Sequence, residues 1–194
     1  MADDSTEVKK SAPSGLRGQA AGQTAICTVG AEGNSLRYRG YDVVELAEQS
    51  TFHEVGHLSL KGHLPDREEL TAWKARLKGL RGLPQALKEV LERIPANAHP
   101  MDVMRTGCSF LGNIEPEGEF ANQMAVAERL LSLFPAIVVY WYRYSHDGLR
   151  IETETDDDSS AARFLHLLHG RAPSALHARA LDHSLILSAA HEFN

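Results

Sequence analysis

Over most of this chain, apolar positions recur at helical spacing. Leu70, Trp73, Leu77 and Leu80 step by three and four residues and form one apolar stripe. Val103, Met104, Cys108 and Leu111 do the same after Pro100, which suits the first position of a helix. Thr51 and Glu54 have the spacing of a capping box, so a helix is expected from there to near Gly62. Pro65-Asp66, with Glu69 three residues after the acid, opens the next. Pro84 stands as a first helical residue before Leu87, Val90 and Leu91. The longest helical pattern runs from Phe120 to about Ser145, and Pro135 inside it should kink it or split it in two. Ser159 to His169 reads as a helix stopped by Gly170. Pro173-Ser174 starts the last one, whose apolar pattern Leu181 to Ala190 carries on to the end of the sequence.

Period-two alternation is confined to one place. Thr24 to Val29 is rich in β-branched residues, Gly30 to Asn34 is turn-like, and Leu36 to Arg39 alternates, which together predict a small β-hairpin. From Tyr41 onward everything reads as helix. The fold class is therefore mainly α: eight or nine helices, one short N-terminal hairpin, and a disordered polar tail over residues 1–14.

Composition narrows the class. With 194 residues, 43% hydrophobic and 24% charged, the chain has the make-up of a globular protein. A formal net charge of −6 argues against nucleic acid as the main partner. No unbroken run approaches the ~18 apolar residues of a membrane span, and no apolar signal region stands at the N-terminus. A cytoplasmic location without membrane partners is expected, and the two cysteines, Cys27 and Cys108, are expected to be reduced thiols. The basic stretch Lys74 to Arg81 reads as the solvated face of a helix.

Ten histidines raise the question of a metal. His53 and His57 stand four apart, and His166 and His169 three apart. Neither pair has the further ligands or the spacing of a zinc site, so structural roles and no metal are expected. Asp156 to Asp158 lack the calcium-loop pattern and read as helix-start acids. Tyr140, Trp141, Tyr142 and Tyr144 read as core or interface packing. The final residues, His191-Glu192-Phe193-Asn194, differ: they gather polar groups able to hydrogen-bond one small molecule's carboxylate or carbonyl oxygen.

Several segments together resemble the citrate synthase family. Leu36-Arg37-Tyr38-Arg39-Gly40-Tyr41-Asp42 is similar to its early Tyr-Arg-Gly-Tyr signature, and Thr51 to Pro65 to the helix and turn that follow. His99-Pro100-Met101-Asp102-Val103-Met104-Arg105-Thr106-Gly107 has the form typical of the family's 2-methylcitrate branch. Tyr140 to His146, Glu154 to Asp158 and Phe164 to Gly170 continue that pattern in order, and His191 to Asn194 resembles the family's substrate-binding segment. The likeness extends from about residue 16 to 194.

The resemblance implies a citrate-synthase-like multi-helical large domain, here its N-terminal part over residues 15–194, truncated before the small domain, and a homodimer. It implies condensation of an acyl-CoA with oxaloacetate. In the methylcitrate branch the acyl group is propionyl and the product, 2-methylcitrate, belongs to propionate breakdown. No cofactor is implied, since CoA arrives as part of the substrate. By resemblance His191 and Asn194 bind substrate, and Lys78 falls near a family position where a basic side chain does so. The family's two catalytic histidines, catalytic aspartate and CoA loop correspond to nothing here, so no catalytic residue is assigned and the 194 residues alone are expected to be inactive. The alternatives are a citrate synthase fragment, a non-catalytic helical dimerisation protein derived from the family, and a small metal-binding module resting on histidine spacing alone.

Overall fold

The computed structural model describes residues 22–30, 33 and 35–191; the expected tail over residues 1–14 lies outside them. Three short antiparallel strands open the fold, β1 (Cys27–Val29), β2 (Leu36–Tyr38) and β3 (Tyr41–Asp42), in the order β1-β2-β3. Cys27 pairs with Tyr38 and Val29 with Leu36, while Tyr38 pairs with Tyr41 on its other side. The third strand was not expected, because its two residues are too few to show alternation. It exists because Arg39 (φ 49°) and Gly40 (φ 91°) form a two-residue turn with both centres at positive φ, the geometry that suits a twisted hairpin. Arginine is an uncommon choice at positive φ, and its guanidinium compensates by donating to the Ser59 carbonyl at 2.9 Å.

Eight α-helices follow among the described residues: α1 (Val43–Gln49), α2 (Phe52–Lys61), α3 (Arg67–Gly79), α4 (Gln85–Leu91), α5 (Pro100–Ile114), α6 (Gln123–Asp147), α7 (Ser160–His169) and α8 (Ala175–Leu187). Most begin where a side chain can satisfy the free N–H groups of the first turn. Asp42 caps α1, Ser159 caps α7 and Ser174 caps α8, while Thr51–Glu54 and Asp66–Glu69 form full capping boxes on α2 and α3. Pro84 sits one position earlier than expected, at the N-cap of α4.

Pro135 neither splits nor ends α6, which continues through it for 25 residues. The proline removes one backbone bond, but both its flanks are clamped: Leu133, Ala136, Ile137 and Tyr140 are all buried in the main core with residues of α4, α5 and α7. By length and composition the stretch 120–147 would also suffice to cross a membrane, since an 18-residue window within it has a mean hydropathy of 1.4. Charges interrupt the stretch, so it forms no unbroken apolar run. One of them is Glu128, which is buried and ion-paired to Lys61 and Arg76, an arrangement of a packed core helix.

A second, smaller core joins the sheet and α1, α2 and α8 through Tyr38, Leu46, Val55, Leu58 and Ile186. Helix α7 is tied to its surroundings by Arg163, which is 2% exposed. It donates to the carbonyls of Ser132 on α6 (2.8 Å), Thr153 (2.9 Å) and Arg81 (3.4 Å). Burial, with the nearby Arg81 charge, pulls its pKa down to about 10.

Helices α5 and α6 approach so closely at Gly107 that a β-carbon there would lie 2.7 Å from Ile137 Cγ2. Alanine normally favours a helix by about 1 kcal/mol over glycine. Here overpacking should win: Gly107→Ala is expected to cost about 1–3 kcal/mol in urea unfolding, and adding Ile137→Ala should cost less than the sum of the two single changes.

Candidate functional site

The residues that set His191 in place begin at the other end of the chain. Tyr38 on β2 is fully buried, and burial raises its pKa. Its hydroxyl shares its proton between the carbonyls of Ile186 (3.0 Å) and Leu187 (3.3 Å) and accepts from the Ala190 N–H at 3.4 Å. In a continuing helix the Ile186 and Leu187 carbonyls would accept from residues 190 and 191. The tyrosine takes their place, so α8 stops at Leu187 instead of running on to Ala190 as its apolar pattern suggested. His191 therefore lies beyond the helix and is exposed. Glu192, Phe193 and Asn194 fall outside the described residues, so the expected one-turn cluster and the Asn194 contact do too.

Asp182 fixes the other end of this arm. It is buried on α8, and one carboxylate oxygen accepts from the Phe52 N–H at the start of α2 at 3.0 Å. Burial raises its pKa despite that bond. The helix that leads to His191 is thus held to α2 by Asp182 and to the sheet by Tyr38. Sequence reading missed both. Tyr38 could have been flagged, since a buried tyrosine needs a partner for its hydroxyl.

Lys78 lies in a separate cluster. Its ammonium pairs with Asp156 at 2.8 Å, Lys74 pairs with Asp158 at 2.9 Å, and Arg81 donates to the carbonyls of Thr155 (3.0 Å) and Asp157 (2.7 Å). Arg81 is 4% exposed. Arg76 and Lys78 keep the basic stretch a solvated face, as expected, but through Lys74, Lys78 and the buried Arg81 it is also the dock for the acidic run, and Ser159, not the acids, caps α7. The pairing spans 74 to 84 residues of sequence, so no local pattern could show it. Thr71, Lys74, Lys78, Arg81, Asp157 and Asp158 border an open cavity of about 390 Å³. Among the described residues no hydrogen bond or ion pair joins Lys78 to His191. His166 completes the cluster by bonding Asp157 through Nδ1 at 2.8 Å.

His53 sits behind it, 3% exposed, with Nε2 3.3 Å from the Ser160 hydroxyl and Nδ1 without a partner. Burial, then the charges of Lys74 and Arg81, lower its pKa to about 4. The aromatic run divides as its helix position dictates. Tyr140 and Trp141 are buried, and Tyr142 is exposed and stacks on His146 with centroids 4.4 Å apart.

Two outcomes follow from these environments. Tyr38→Phe should cost about 1 kcal/mol in urea unfolding and move the amide resonances of residues 188–191, because the carbonyls it releases can again accept from the helix. His53 stays neutral in the fold at pH values where the unfolded chain, near pKa 6.5, takes up a proton. Its stabilising contribution is complete above about 6.5 and falls as pH drops toward 4. Unfolding measured across that window should show a slope that His53→Gln flattens.

Comparison with known proteins gives this architecture a family. The family model described as "Citrate synthase, C-terminal domain" matches residues 15–194. A 2-methylcitrate synthase of Shewanella oneidensis is 65% identical over 189 residues, covering 97% of this chain and 50% of that protein. A 2-methylcitrate synthase of Mycobacterium tuberculosis is 36% identical over 193 residues, covering 99% and 48%. The crystal structure of citrate synthase from Pyrobaculum aerophilum superposes with a TM-score of 0.77 at 33% identity, over 91% of this chain and 47% of that one. The Thermoplasma acidophilum citrate synthase, solved as a ternary complex with carboxymethyl coenzyme A and oxaloacetate, shares the fold with a TM-score of 0.84 at 23% identity, over 91% of this chain and 47% of that one. The chain spans about half the length of the curated relatives it matches. On the match over residues 15–194, the chain belongs to the citrate synthase family.

Proposed function

We propose that this chain supplies the N-terminal half of a 2-methylcitrate synthase acting in propionate breakdown in the cytoplasm. The observation that carries the reading is the 65% identity to the Shewanella oneidensis enzyme across 97% of the chain. In the reaction, a carboxylate removes a proton from the carbon next to the propionyl thioester. That carbon bonds to the oxaloacetate ketone, and water then releases CoA from the thioester. A hydrogen-bond donor must hold the oxaloacetate oxygens while this happens. His191 takes that role in the proposal, together with Asn194, and the exposed position of His191 past the end of α8 leaves its imidazole free to meet a ligand. Lys78 is the weaker candidate, because it is already paired with Asp156. Neither a metal nor a bound organic cofactor takes part in this chemistry.

The proposal includes a homodimer. Phe120, Leu176 and Met101 are 79%, 74% and 62% exposed, which leaves apolar surface for a second copy or for the remainder of a synthase to cover.

The 194 residues alone should release no CoA from propionyl-CoA and oxaloacetate. Joined to the remaining half of the Shewanella oneidensis enzyme, they should do so, and faster with propionyl-CoA than with acetyl-CoA. His191→Ala in that chimera should lower kcat/KM on the order of 100-fold. A folded chimera that is inactive, or one indifferent to His191→Ala, would sink the assignment.

A further inference from the structure

We propose that His57, His63 and Glu69 form a binding site for a divalent transition cation of the Zn²⁺ class, independent of the condensation proposed above. One ring nitrogen from each histidine and one carboxylate oxygen of Glu69 all lie within 4.8 Å of one another. This departs from the expectation that no metal binds, which weighed His53 with His57 and never His57 with residues beyond its own helix.

The convergence comes from two local devices. Gly62, at φ 97°, ends α2 and turns the chain back, bringing His63 beside His57, one turn earlier on the helix. The capping box of α3 then fixes Glu69: its Oε2 accepts from the Asp66 N–H at 3.0 Å, which leaves Oε1 facing His63 Nε2 at 3.1 Å. Ligands about 2.0–2.1 Å from a tetrahedral ion stand about 3.3 Å apart, so this pair, now joined by a His63 Nε2 proton that an ion would displace, already has the separation of two ligands on one ion.

His57 has the support expected of a ligand. It is 6% exposed, packs edge-on against Trp73 with centroids 5.5 Å apart, and its Nδ1 lies 3.0 Å from the His63 carbonyl. A carbonyl only accepts, so Nδ1 carries a proton, and Nε2 is the nitrogen left to meet an ion. Such a bond to backbone commonly sets the tautomer of metal-bound histidines. The side chains of His63 and Glu69 are 57% and 43% exposed and provide the entry path.

Nearby cations are committed elsewhere: Lys61 pairs with Glu128 at 2.7 Å, and Arg39 donates to the Ser59 carbonyl. The site therefore offers one carboxylate and two imidazoles as donors. That donor set suits Zn²⁺, Ni²⁺ or Cu²⁺ and is poor for Mg²⁺ or Ca²⁺, which prefer all-oxygen shells. Three protein ligands would leave a position for water.

The test is calorimetric titration of the untagged full chain with ZnCl₂ in a non-coordinating buffer, with MgCl₂ as a control. One saturable equivalent of Zn²⁺ is expected, unaffected by excess Mg²⁺. His63→Ala lies outside any helix, and Glu69→Gln preserves the capping box, so both should fold as the parent by circular dichroism. Each should weaken binding at least ~10-fold, while His177→Ala, at an exposed position on α8, should not. Absence of saturable binding, or a folded His63→Ala that binds as tightly as the parent, overturns the proposal. Because the readout is binding, it stands or falls apart from the synthase assignment.

Discussion

The arrangement of the α7 side of the molecule depends on one buried cation. Arg163 brings a charge into the core with no ion pair among the described residues, and compensates with backbone carbonyls from three separate places in the chain. A guanidinium can do this because its donors lie in a fixed planar fork, which a lysine cannot reproduce. The same contact holds α6, the segment through Thr153 and the loop after α3 in one relation. It also puts Arg81 where its own side chain can hold the acidic segment, and that segment in turn occupies the basic face of α3.

The other half of the molecule is organised by polar contacts of α8. Asp182 and Tyr38 both reach backbone groups, one at the start of α2 and one at the end of α8. Between them, Ile186 sits in the second core. Polar anchors at both ends and an apolar contact between them set the helix's position and its stopping point together. The proposed substrate residue His191 inherits its place from that stopping point rather than from contacts of its own.

Much of this was legible in the sequence. Where a helix start depends on residues three apart, as in Thr51–Glu54 and Asp66–Glu69, the reading and the structure agree, because the cap is a local device. The stop at Gly170, with its left-handed backbone, is local in the same way. What escaped was decided at a distance. The end of α8 depends on a tyrosine from the sheet, the continuity of α6 through Pro135 depends on neighbours, and the face of α3 depends on acids from before α7. In the candidate site, the importance of His191 came from resemblance, while its support by Tyr38 and Asp182 required the coordinates. The His57–His63–Glu69 grouping lay between the two, since its spacing is short but crosses a turn whose geometry Gly62 sets.

The Tyr38 bond also orders events in time. It joins residues 148 apart, nearly the whole described chain. Closing so long a loop has an entropic cost that local helix formation does not share, and contacts of this kind slow folding. The helices between can form their caps and much of the main core before that closure. During synthesis from the N-terminus, the sheet must wait for α8 to emerge before the smaller core can close, so the wall that carries His191 takes shape after the helices between them.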